Sequence, residues 1–157
     1  MTVPASDRDA FHEGLRALAH ERVDLAVEQL SLAADGAPDD PTIQAFLASA
    51  LFAAARPDAS SAAIDRALEL APSAYWPNLK AGELRHRLGD ATAAADHFLV
   101  ALRAAEPGSA DATAAQLALV RARREAARAI SHRAVLPRFR WLAGRTRPAV
   151  PRGARER

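Results

Sequence analysis

Ala26-Val27-Glu28-Gln29-Leu30-Ser31-Leu32-Ala33-Ala34-Asp35-Gly36-Ala37-Pro38 is the stretch that decides how this chain folds, because its skeleton comes back twice. At a spacing of 34 residues, Ser60, Ile64, Ala67, Leu68 and Pro72 take the places of Ala26, Leu30, Ala33, Ala34 and Pro38. A further 34 residues on stand Ala94, Phe98, Ala101 and Leu102, with the proline slipped by one to Pro107. Steps of four and three residues put the apolar members on one face of a helix. A unit this short cannot bury its own apolar face, so the copies must stack.

A second register runs through the helix before each of these. Gly14, Ala48 and Gly82 are again 34 apart. Small residues there let two helix backbones approach closely, and Ala33, Ala67 and Ala101 do the same from the partner helix. A methyl group at Gly82 is expected to be mild, since Ala48 already holds the equivalent place.

The breaks between helices are legible. The first helix runs from Asp7 to near His20, with Phe11, Leu15 and Leu18 at helical steps. The second ends at Gly36-Ala37-Pro38. Asp40 before Pro41 reads as a helix start: a capping acid, then a proline whose missing N–H costs nothing in the first turn. Arg56-Pro57-Asp58 and Pro72-Ser73 break the chain again. Leu88-Gly89-Asp90 makes a corner in which glycine takes a left-handed conformation and the acid caps the next helix. Six helices thus fall into three pairs, and Ser109 opens a seventh.

Composition agrees. Half of the 157 residues are apolar, a quarter are charged, glycine numbers only seven and alanine abounds, which leans all-α. No uncharged stretch is long enough to span a bilayer. The first nine residues carry acids where a secretory signal needs an apolar core. With no cysteine, disulfides and thiolate sites are out, and a reducing, cytoplasmic setting is expected. The 21 basic residues are all arginine except Lys80. Their placement is uneven: residues 1–108 carry 9 basic and 16 acidic side chains (−7), residues 109–133 carry 5 and 2 (+3), and residues 134–157 carry 7 and 1 (+6).

The period, the small residue in each first helix, the alanine and large apolar run in each second helix and the closing proline together resemble a tetratricopeptide repeat protein, over residues 7–108. The departures are Ala10, Gln44 and Asn78, where that family usually has an aromatic, and Ser60, where it has alanine. The resemblance implies an all-α, right-handed solenoid of three helix-turn-helix repeats (7–40, 41–74, 75–108) after a short lead (1–6). A capping helix over 109–133 and a basic tail over 134–157, with room for one short helical turn near Phe139 to Leu142, complete the chain. Leu117, Val120, Ala127 and Ile130 form an apolar stripe for that seventh helix, and Arg121, Arg123, Arg124 and Arg128 its outer side.

Catalysis has no foothold in the sequence. There is no glycine-rich phosphate loop, no nucleophile elbow and no zinc motif. His12, His20, His86, His97 and His132 do not pair at metal-ligand spacing. The expectation is a non-enzyme with no cofactor, no metal and no small-molecule substrate.

In the resembled family the first helices line a concave groove. Here they bring forward Arg8, Phe11, Leu15 and Leu18, then Thr42, Ala45, Ser49 and Phe52, then Trp76, Leu79, Glu83, His86 and Arg87. Phe11, Leu15 and Phe52 fit an inter-helix core equally well, because core and groove share one spacing. Glu83 and Arg87 are spaced to pair with each other. Trp76, at a helix start beside Tyr75 and Pro77, is expected to be partly exposed and to anchor a partner. One family subset grips a chaperone peptide's terminal carboxylate with lysines and asparagines. The matching places here are Phe11, Leu15, Ala45, Ser49, Leu79 and Glu83, so an apolar partner segment is expected instead.

The tail alternates arginine with aromatics in Arg138-Phe139-Arg140-Trp141, with Arg145 and Arg147 beyond. Such a segment suits an acidic protein surface first, an anionic membrane surface second and nucleic acid last. A solvated, disordered terminus is the plain alternative. The functional expectation is an adaptor or assembly factor within a larger complex, holding a partner segment in the groove. The alternative is an electrostatic tether acting through the tail, with the protein peripheral at the membrane.

Overall fold

In a computed structural model, the structure describes residues 5–143, with side-chain surroundings for residues 8–131. It contains seven α-helices: α1 Ala5–Ala19, α2 Val23–Gly36, α3 Pro41–Ala53, α4 Pro57–Leu70, α5 Tyr75–Arg87, α6 Ala91–Ala104 and α7 Ala110–Ala143. No strand occurs among the described residues. Helices α1 and α2, α3 and α4, and α5 and α6 pack as hairpins, and α7 closes the stack on α6. The fold is an all-α helical-repeat solenoid.

Local chemistry sets the helix ends. Asp40 Oδ1 accepts hydrogen bonds from the N–H groups of Thr42 and Ile43 at 2.8 and 3.1 Å. Asp90 Oδ1 takes the N–H of Ala93, and Ser109 Oγ that of Ala112, both at 3.0 Å. Each satisfies a donor that the first turn leaves without a partner. Inside each repeat the corner is a left-handed residue: Glu21 (φ 57°), Ala55 (φ 56°) and Gly89 (φ 81°), 34 residues apart. The next N–H groups reach back five residues, from Arg22 to Ala17, Arg56 to Leu51 and Asp90 to Arg85, closing the same C-terminal motif three times.

Helix α3 packs on α5 and touches α1, whereas α2, α4 and α6 make no comparable contacts with one another among the described residues. The first helices therefore form a closely spaced inner layer and the second helices splay outside it. That difference in spacing makes the inner face concave.

The helix crossings are fitted pair by pair. A Cβ at Gly14 would lie 2.6 Å from Leu30 Cγ, and one at Gly82 would lie 2.5 Å from a ring carbon of buried Phe98. Ala48 belongs to the second repeat, where Ile64, in the same buried cluster, stands in place of Phe98. The mildness expected for a methyl at Gly82 therefore fails: equivalence of position is not equivalence of partner size. Ser60, in an alanine's place and 1% exposed, donates from Oγ to the Ala48 carbonyl at 2.7 Å, so its hydroxyl is buried but satisfied.

Two of the three absent aromatics have substitutes. Asn78, 2% exposed, donates from Nδ2 to the carbonyls of Pro72 and Ala74, each at 2.9 Å. Gln44 Nε2 makes the matching bond to the carbonyl of Pro38 at 3.2 Å. An amide at this position fastens the turn between repeats through its closing proline.

The seventh helix departs from expectation twice. It continues to Ala143, past the expected end at 133, so the backbone of Arg138, Phe139, Arg140 and Trp141 is helical rather than tail. Helix propensity does not account for the continuation, since it runs through Pro137, and an interior proline costs about 3 kcal/mol. Its buried face is also a different one. Ala115, Leu119 and Ala122 pack on Ala94, Ala95, Phe98 and Ala101, while Leu117, Val120 and Ile130 are 65%, 40% and 68% exposed. Alanines let α7 lie close on α6, and close approach outweighs the larger side chains of the other stripe. No described helix is long and apolar enough to cross a membrane.

Candidate functional site

The inner layer carries a run of aromatic rings across all three repeats. Phe11 of α1 meets Phe46 of α3 edge-on at 5.8 Å between centroids. Phe46 meets Trp76 of α5 at 5.1 Å, and Trp76 meets Tyr75 at 4.9 Å. Phe11, Phe46, Tyr75 and Trp76 are all half-buried. Part of each ring fills the space between helices, and the remainder lies open.

Lys80 stands over this run. Its Nζ is 4.9 Å from the Phe46 centroid and 6.0 Å from that of Trp76, both within cation–π reach. Glu83 Oε2 lies 3.0 Å away and fixes the ammonium group from the other side. The lysine side chain is only 15% exposed. The chain's one lysine is thus laid along aromatic surface, with its charge partnered.

Most of the groove residues expected from the sequence lie at or near this face. Arg8 is exposed; Leu15, Leu18, Phe52, Trp76 and Glu83 are half-buried. Phe11 and Leu18 pack partly into the cores of the first two repeats. Ser49, half-buried, donates back to the Ala45 carbonyl at 3.3 Å. Phe52 borders the core between α3, α4 and α5, and the Arg87 guanidinium lies 5.7 Å above its ring. Two expected members leave the groove. Leu79 is 7% exposed and packs in the core shared with α6 and α7, and Ala45 is fully buried against α5. Both lie on the side of their helix that meets the next element of the stack. His86 is also drawn away: its Nε2 is 2.8 Å from Glu125 Oε2 of α7, without the alignment of a hydrogen bond. The expected Glu83–Arg87 pair does not form, since Lys80 is three residues from Glu83 and takes it first.

Phe46 and Lys80 do not belong to the groove that the sequence suggests. They share one repeat position with His12, at 34-residue spacing and one residue past the expected groove position. The solitary lysine among twenty arginines is the signal that marks this position. Of the tail residues, the side chains of Arg138, Phe139, Arg140 and Trp141, and all of Arg145 and Arg147, lie outside the described residues.

Two further groups support the site from behind. Tyr75 Oη donates to the Asp111 carbonyl at 3.2 Å, tying the start of α5 to the start of α7. Burial, and then the negative charge of Asp111, raise its pKa. His97 Nδ1 is 3.2 Å from Asn78 Oδ1, which accepts only from the tautomer protonated at Nδ1. Burial, reinforced by Arg85, lowers the pKa of His97. Among the described residues no three His, Asp or Glu side chains gather as metal ligands would.

No protein-family profile and no curated protein sequence matches the chain. Solved structures do. The Sgt2 TPR domain from Aspergillus fumigatus superposes with a TM-score of 0.69 at 20% identity, over 96% of this chain and 92% of its own. The first TPR of Spaghetti (RPAP3), solved with the HSP90 peptide SRMEEVD bound, gives 0.65 at 19% identity, over 78% of this chain and 96% of its own. The Arabidopsis OM64 TPR domain gives 0.60 at 20%, over 75% and 94%. The three-pair arrangement, the small residues at the crossings and these superpositions agree: the chain has the fold of a tetratricopeptide repeat domain.

Proposed function

We propose that this protein is a non-enzymatic adaptor whose concave face holds an apolar segment of a partner protein. The observation that carries this reading is the ring run Phe11–Phe46–Trp76 with Lys80 laid over it. It spans all three repeats on the inner layer and is only half-covered. Partly exposed aromatics on a rigid concave surface are where binding energy concentrates, because the scaffold is already ordered before the partner arrives. The neighbour RPAP3 takes an acidic HSP90 peptide. This face is not built for such a ligand: Lys80 is already held by Glu83, and Phe11, Leu15 and Ser49 stand where a carboxylate grip needs cations or amides. A helix or extended strand presenting two or three apolar side chains fits better.

The test is selection of binders from a displayed random-peptide library on the full chain. Recovered sequences should be apolar, and binding should weaken by about a thousandfold in Phe46→Ala with Trp76→Ala, at about 2 kcal/mol per anchor. The helical circular dichroism should persist. Binders that hold equally to the double variant would remove the ring run from the site. The tether reading rests on the +9 net charge of residues 109–157. It predicts binding that collapses with added salt, where the apolar face predicts little change.

A further inference from the structure

Charge is graded along the stack. Residues 7–40 carry 9 acidic and 3 basic side chains (−6), residues 41–74 carry 3 and 2 (−1), residues 75–108 are balanced at 4 and 4, and residues 109–157 carry 3 acidic and 12 basic (+9). The two ends of one solenoid are therefore of opposite sign.

Each end also offers an open helix face of matching pattern. On α2, Asp24, Glu28 and Leu32 succeed one another at four-residue steps, and all are exposed, Leu32 to 54%. On α7, Val120, Arg124 and Arg128 do so at the same steps, with Leu117 one turn before, and all are exposed. Four residues rise about 6 Å along a helix. Laid antiparallel, the two stripes meet in register: Leu32 on Leu117 and Val120, Glu28 on Arg124, Asp24 on Arg128. Among the described residues, none of these four charges has an ion-pair partner within the chain. The stripes cannot meet within one molecule. Helix α7 packs on α6, and α2 on α1 and α3, so they stand at opposite ends of the stack.

We infer that the exposed stripe of α7 docks on the acidic stripe of α2 of a second copy of this chain. The contact joins two different surfaces, so a single contact leaves one free surface of each kind, and the assembly either propagates or closes on itself. Two apolar patches that would otherwise face water are covered, and both charge rows gain partners. One helix pair buries less than the roughly 800 Å² per side of a stable complex, so the association is weak and dependent on concentration.

Sedimentation velocity on the full chain tests it. At low salt the weight-average mass should rise with concentration, and at roughly 1 M salt, where charges are screened beyond about 3 Å, it should return to the monomer value. Arg124→Glu with Arg128→Glu should weaken association by about tenfold or more, and so should Asp24→Arg with Glu28→Arg, because like charges then face each other. Mixing the two variants restores opposite charges across each contact and should restore association, which misfolded protein would not do. A chain that stays monomeric at low salt up to high concentration overturns the inference and leaves the α7 stripe for some other acidic surface. Association that survives both reversals overturns it as well, since a different face would then be responsible.

Discussion

At the scale of single residues, the crossings between helices act as size filters. Gly14 faces Leu30 and Gly82 faces Phe98, while Ala48 and Ile64, the equivalent pair of the second repeat, share one buried cluster, so each repeat has divided one space between two side chains in its own way. Gly82→Ala should therefore cost about 1–3 kcal/mol, as overpacked cores usually do. Gly82→Ala combined with Phe98→Ile rebuilds the pair used by the second repeat and should recover most of the loss in a denaturant melt. His97 makes a second residue-scale prediction. Its folded-state pKa is lowered by burial, with Arg85 adding to the effect. The unfolded chain then binds the extra proton more readily than the folded one, so stability is present above the ordinary value of 6.5 and is lost as pH falls below it. Melts between neutral and mildly acidic pH should show this fall, and His97→Gln should reduce it.

At the scale of elements, the corner within each repeat is one device made from three different residues. Glu21 and Ala55 hold a left-handed backbone that costs a non-glycine residue about 1–2 kcal/mol, whereas Gly89 holds it freely. Ala55→Gly should raise stability by about 0.5–1 kcal/mol, and Gly89→Ala should lower it by about 1 kcal/mol, read as opposite shifts in thermal melts. Helix α7 gives the other element-scale prediction. Its packing on α6 ends at Ala122, with Glu125 beside His86. Deleting residues 109–157 should expose Leu79, Ala94 and Phe98 and bring aggregation. Deleting only residues 134–157 should move the melt by less than about 0.5 kcal/mol, since the described part of α7 beyond Glu125 packs little.

For the molecule as a whole, two surfaces of different chemistry come from one stack. The inner aromatic face is apolar with a neutralised lysine, and the two ends are charged with opposite sign. Raising salt should separate them in a single titration series. Peptide binding on the inner face should change little, while the charged ends should lose self-association across the same range, measured by fluorescence anisotropy and sedimentation on one preparation. A rigid solenoid suits this division, because contacts run only between neighbours and each surface is built without disturbing the other.

The helix count, the pairing, the crossings at Gly14, Ala48 and Gly82 and the caps at Asp40, Asp90 and Ser109 can all be read from the chain. These features rest on local chemistry and a 34-residue period, and both are visible in a linear sequence. Direction around each helix axis cannot be read so well. Leu79 goes to the core and Phe46 comes to the groove, although both belong to apolar helical faces, because the next helix in the stack covers one side and not the other. The seventh helix shows the same limit most plainly. Its larger apolar residues Leu117 and Val120 form the stronger stripe by side-chain size, yet the close approach that Ala115, Leu119 and Ala122 permit turns that stripe outward. Which face of a helix is buried depends on the shape of its neighbour, and that shape exists only after the elements have packed.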